Sequence, residues 1–171
     1  MTYSRITTIL LLSLCLTVGG CFSYGFTGGS IPPDVNNIFI PFFPDQSNSG
    51  LGDLSSRLNR ALIDRFINQS KLSLASEREQ ADVVLDGTIT QYSNQPFSVT
   101  GEEQSDLNEV SITVRGSFQY TDEEQPVWNR SFTSSFRFDP NVSPIEGENN
   151  AADDALETIA QNMFNESIGK W

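Results

Sequence analysis

Apolar and polar positions alternate strictly along two stretches of this chain. Val110, Ile112, Val114, Gly116, Phe118 and Tyr120 are interleaved with Glu109, Ser111, Thr113, Arg115, Ser117 and Gln119. After an acidic turn, Asp122 to Pro126, Trp128, Phe132, Phe136 and Phe138 are interleaved with Asn129, Ser131, Thr133, Ser135 and Arg137. A period of two predicts antiparallel strands with one face on a core and the other toward water or a partner. Arg130 breaks the apolar parity, which marks a bulge, a strand end or a paired arginine. An earlier strand begins at Ala81, with Val83, Leu85, Gly87 and Ile89 on one face and Asp86, Thr88 and Thr90 on the other. Beyond Pro96 it continues, or loops, through Phe97 and Val99. Ile38-Phe39-Ile40-Pro41-Phe42-Phe43 is apolar on both parities, as a strand buried on two faces is. Pro41 has no N–H for a ladder, so an edge position or a bulge is expected there. Leu72 and Leu74 predict one further short strand.

The period lengthens in two other places. Leu54, Leu58, Ala61, Leu62 and Phe66 recur at helical spacing between about Gly52 and Asn68, with Asp53 as cap and Arg57, Arg60 and Arg65 beside the stripe. Residues Asp139 to Asn150 hold two prolines and read as a loop. A closing helix follows from about Ala151 to Ile168, with Ala152, Leu156, Ile159 and Met163 as its stripe. Asp153 and Asp154 complement its positive end and Lys170 its negative end. The resulting fold class is α/β (α+β): a two-layer sandwich in which a mixed, mostly antiparallel sheet of about four strands packs on two helices.

The start of the chain has a different pattern. Arg5 precedes an apolar run, Ile6 to Val18, which ends in Val18-Gly19-Gly20-Cys21. Thirteen helical residues rise only about 20 Å, short of a hydrocarbon core of roughly 30 Å. The run therefore reads as a secretory signal, residues 1–20. Its last four residues resemble the bacterial lipobox, whose cysteine is acylated before the signal is removed. On that reading Cys21 is the lipidation site and the first residue of the mature chain. Residues 21–35, rich in Gly, Ser and Pro, form a lipidated N-terminal tether, and residues 36–171 a single domain. Phe22, not an aspartate, follows the cysteine. By resemblance to sorted lipoproteins, this implies the periplasmic side of the outer membrane.

Composition removes several function classes. The 171 residues carry 10 Lys plus Arg against 22 Asp plus Glu, and no histidine. A net charge of −12 argues against a nucleic-acid partner. Both cysteines, Cys15 and Cys21, fall in the signal and anchor. The domain is thus expected to have no disulfide, no thiol nucleophile, no Ser-His relay, no Cys/His metal site and no cofactor.

The lipobox, the Phe22-Ser-Tyr-Gly-Phe-Thr-Gly-Gly-Ser-Ile-Pro-Pro-Asp34 lead-in and the Ala81-Asp-Val-Val-Leu-Asp-Gly-Thr-Ile-Thr90 strand together resemble the LPS-assembly lipoprotein family, LptE. The element order and the closing Ala/Asp-rich helix agree with it. The resemblance implies a non-enzymatic outer-membrane lipoprotein, bearing palmitate or a similar acyl chain. In that family the domain plugs the β-barrel LptD, helps it assemble and supports lipopolysaccharide transport. Family members touch lipopolysaccharide phosphates through basic side chains near a strand-loop-strand. Arg115 and Arg137 share the polar parity here and are the candidate anionic-ligand contacts, against the plainer expectation of pairing with Glu109 or another carboxylate. Two other readings stand beside this one. A carrier of a hydrophobic ligand would need an apolar cavity among Phe118, Trp128, Phe132 and Phe136, which read more simply as core. A carboxylate-based cell-wall hydrolase would need two acids in one cleft, drawn from Glu102, Glu103, Glu123, Glu124, Asp153 and Asp154.

Overall fold

The computed structural model describes residues 32–97 and 107–168. The signal, Cys21, most of the tether, Glu102, Glu103 and Lys170 lie outside these residues. Five strands form one sheet: β1 (Asn37–Phe39), β2 (Ser73–Leu74), β3 (Val83–Phe97), β4 (Leu107–Tyr120) and β5 (Trp128–Phe138). Their order is β2-β1-β3-β4-β5, with β1 parallel to both neighbours and β3, β4 and β5 antiparallel. Two helices, α1 (Leu54–Ile63) and α2 (Pro144–Ile168), pack together on one face of the sheet. The expected two-layer α+β sandwich is present. Its fifth strand is the two-residue β2.

Period-two patterning fixes β4 and β5 because each parity has a different destination. Val110, Ile112, Val114 and Phe118 are fully buried under the helices, whereas Arg115 on the other parity is exposed. α1 buries Leu54, Leu58 and Leu62 on the same core, and its extension, a π-helical turn over Asp64–Asn68, buries Phe66 against the edge of the Phe164 ring. Each such side chain withdrawn from water contributes about 1.5–3 kcal/mol. Arg57 ties the two helices. It holds Asp53 one turn back at 2.9 Å, reaches Asp153 at 3.3 Å, and donates to the Asn149 side-chain oxygen at 2.8 Å.

Three elements differ from expectation. β1 is an interior strand, not an edge, and its ladder ends before Pro41. The chain leaves the ladder there and re-engages β3 three residues after that proline, where Ile89 donates to the Pro44 carbonyl and Gln46 donates to the Ile89 carbonyl. A bulge in β3 between Ile89 and Gln91 accompanies this contact. It reverses the parity of the rest of the strand, so Tyr92 lies opposite core-facing Ile112. Past Pro96, where the sequence allowed a strand or a loop, β3 continues as strand to Phe97; Val99 lies outside the described residues. Finally, α2 begins at Pro144, seven residues before the expected start. Ser143 precedes it, its hydroxyl 3.4 Å from Glu146, and its carbonyl accepts from Gly147 N–H. Ser143-Pro144-Ile145-Glu146 carries the capping-box sequence pattern, with proline at the first helical position. That signal was in the sequence, and the two prolines of the segment masked it.

The parity switch gives Tyr92 a partner on α2. Its hydroxyl donates to the Glu148 carboxylate, and burial, followed by that bond, pushes the phenol pKa above its ordinary value. The fold therefore favours the neutral phenol. Its contribution is complete below pH 10, the unfolded value, and is lost as pH climbs through the higher folded value. In chemical denaturation between pH 9 and 12, Tyr92→Phe is expected to flatten the alkaline loss of stability. An identical slope in the two proteins would contradict this assignment.

Candidate partner-facing surface

The helices cover one face of the sheet, and the opposite face of β4 and β5 is open. It is built from Ser111, Thr113 and Ser117 of β4 and Asn129, Ser131, Thr133 and Ser135 of β5. The four β5 residues are exposed. Thr113 and Thr133, directly opposite, join their hydroxyls at 2.9 Å. Neutral hydroxyls and amides dominate because antiparallel pairing puts alternate residues of both strands on this side, and the sequence places Ser, Thr and Asn there. Nine of the 22 acidic residues lie on α2, at Glu146, Glu148, Asp153, Asp154, Glu157 and Glu166, and in the turn after β4, at Asp122, Glu123 and Glu124. This face is polar, and its charges on β4 and β5 are Glu109, Arg115 and Arg137, on a strongly acidic protein.

Both candidate arginines lie on it. Arg137 stands opposite Glu109, with Nε 3.2 Å from its carboxylate, and stacks its guanidinium 3.5 Å above the Phe97 ring. Arg115 is exposed, and its Nε is 3.4 Å from the Asn129 side-chain oxygen. Six residues of β4 separate Arg115 from Glu109, about 20 Å along the strand. The two arginines therefore cannot clamp one phosphate. Arg130, on the core parity, is the paired arginine: it reaches across to Glu166 of α2 at 3.0 Å.

The other chemical readings meet little support in the geometry. Asp153 is engaged by Arg57, while Asp154, Glu123 and Glu124 are exposed. A groove of about 290 Å³ between α1 and α2 mixes Arg57, Arg60 and Arg65 with Asp64, Asp153 and Glu157, so it has no dominant sign of charge. Phe118 and Trp128 stack with ring centres 6.1 Å apart, and Phe132 meets Trp128 edge-on at 5.2 Å. These rings fill the space that a carrier would leave for its ligand. Among the described residues no group of His, Cys, Asp and Glu is placed to hold a metal, and no helix is long and apolar enough to cross a membrane.

Residues 35–167 match the family model described as LptE: Lipopolysaccharide-assembly. No curated protein sequence matches the chain. Solved structures share the fold at low identity. A protein from Xanthomonas campestris is 11% identical with a TM-score of 0.57, over 83% of this chain and 91% of that one. A neuraminyllactose-binding hemagglutinin homologue from Helicobacter pylori is 13% identical with a TM-score of 0.55, over 84% and 88%. Lipoprotein B from Nitrosomonas europaea is 12% identical with a TM-score of 0.50, over 77% and 81%.

Proposed function

The chain belongs to the LptE lipopolysaccharide-assembly family, and we propose from this that it is a non-enzymatic lipoprotein of the outer membrane. Its signal, residues 1–20, is removed, Cys21 carries the acyl chains, and the tether of residues 21–35 holds the domain on the periplasmic side. The domain plugs the barrel LptD, assists its assembly and supports passage of lipopolysaccharide to the outer leaflet. The observation that carries the reading is the open sheet face. The lumen of a large barrel is polar, and a surface of hydroxyls and amides hydrogen-bonds to such a wall without demanding a register of ion pairs. The arginines on this face are separate contacts for polar or anionic groups, not a two-armed clamp.

The test places charge on that face. Thr133→Glu with Ser135→Glu leaves the core untouched, and their cross-strand partners, Thr113 and Ser111, carry no charge. If this surface meets the barrel wall, each new carboxylate loses water without gaining a counter-charge, at a cost of about 2 kcal/mol or more. Recovery of LptD through a tag on the protein should fall at least ~10-fold. Undiminished recovery by a folded double variant would remove the sheet face from the interface. Depletion of the protein should lower assembled barrel and surface lipopolysaccharide together; no change in either would sink the functional reading itself.

A further inference from the structure

β5 is the outer strand of the sheet, eleven residues long and paired only with β4 among the described residues. The opposite edge is closed off by the two residues of β2. Long open edges are ordinarily protected by proline, lysine, a bulge or a covering segment. β5 has no proline or lysine, and its pairing with β4 runs without a register shift. Its helix-side aromatics Phe132 and Phe136 are only half-buried, in contrast to fully buried Val110, Ile112 and Val114 on β4. The edge thus exposes both unpaired backbone groups and apolar surface.

We propose that the N-terminal segment Phe22–Thr27 docks on this edge as a sixth, antiparallel strand. Its pattern fits: Phe22, Tyr24 and Phe26 alternate with Ser23, Gly25 and Thr27. One parity would extend the aromatic side over Phe132 and Phe136, and the other would continue the hydroxyl-rich face. Length and position also fit. The first described residues stand at the end of β4: Val35 N–H bonds the Pro32 carbonyl, and Asp34 adjoins Tyr120 and Asp122. From Tyr120 on β4 to Thr27 on a strand beyond β5, opposite Asn129, is two strand spacings across and three residues along, about 14 Å. The five links from Thr27 to Pro32 span up to about 17 Å, and Gly28 and Gly29 allow the chain to reverse there. Charge selects this occupant over a second copy: segment 22–31 has no charged residue, whereas two chains of net charge −12 repel. In the register with Tyr24 opposite Phe132, Phe26 falls opposite Arg130, where ring and guanidinium suit each other. The inference concerns the protein's own tether and does not depend on the barrel.

The experiment uses the full-length protein extracted in mild detergent. Directly opposed antiparallel residues lie within disulfide range. Tyr24→Cys with Phe132→Cys should therefore close an intrachain disulfide at least ~10-fold faster than Tyr24→Cys with Leu74→Cys on the far edge, because docking raises the effective concentration of the two thiols. Hydrogen exchange should show β5 amides that point away from β4 protected, and Tyr24→Pro should release them. Equal closure rates, or protection unchanged by Tyr24→Pro, would overturn the proposal. So would disulfides formed between chains, which would give the edge to a second copy, or protection seen only with LptD co-expressed, which would give it to the barrel.

Discussion

Gly87→Ala is expected to destabilise the domain by about 3 kcal/mol, at the upper end of ordinary overpacking costs. For a domain of this size that lowers the melting temperature by roughly 10 °C. Glycine in a strand interior normally costs stability relative to alanine, so the usual sign is reversed here. Gly87 and Gly116 face each other across β3 and β4. A Cβ on Gly87 would stand 2.2 Å from the Arg115 carbonyl oxygen, 2.6 Å from the Phe43 ring and 3.0 Å from the Gly116 Cα. Backbone cannot yield there without breaking the β3–β4 ladder, and Phe43 is fixed in the core. Gly116 differs. Its Cβ would meet the Met163 Cε at 2.6 Å and the Trp128 ring at 3.2 Å. The methionine end is flexible, so Gly116→Ala should cost about 1 kcal/mol. Thermal melts of the two variants test the argument, and melting temperatures within about 2 °C of each other would defeat it.

Cys21→Ser is expected to move nearly all of the protein from the membrane fraction to the soluble one. Burial of acyl carbons is worth about 0.8 kcal/mol per CH₂. One chain gives only reversible binding, whereas two or more make attachment effectively stable. Among the described residues no helix is long and apolar enough to cross a membrane. The proposed barrel partner would also hold an unlipidated chain at the membrane, so the fractionation belongs in cells depleted of LptD. An unmodified mass for the mature N-terminal peptide, or a Ser variant that still sediments with membranes in those cells, would dispose of the anchor.

Much of the architecture was legible because local chemistry and tertiary position agreed. β4 and β5 follow their alternation, and α1 follows Leu54, Leu58 and Leu62. The open face could be read as Ser, Thr and Asn on one parity before its location was known. The first turns of α2 were also encoded, in Ser143 and Glu146, but two prolines read as loop. Arg57 carried only a local signal, Asp53 one turn back; its tie to α2 left none. Its partners Asn149 and Asp153 lie more than ninety residues away, and nothing in its neighbourhood distinguishes it from exposed Arg60.

The amino-acid order alone determined the apolar run ahead of Cys21, the acidity, the lack of histidine, and the two-faced strands and helices, since each depends on side chains within a few positions. Packing decided the rest. β1 became interior because the short β2 pairs on its outer side, and Tyr92 turned inward because a bulge at Thr90 reset the pleat. The reach between Arg115 and Arg137 followed from strand register. These features arise where distant segments meet, and pairing between distant segments leaves no periodic trace in either one.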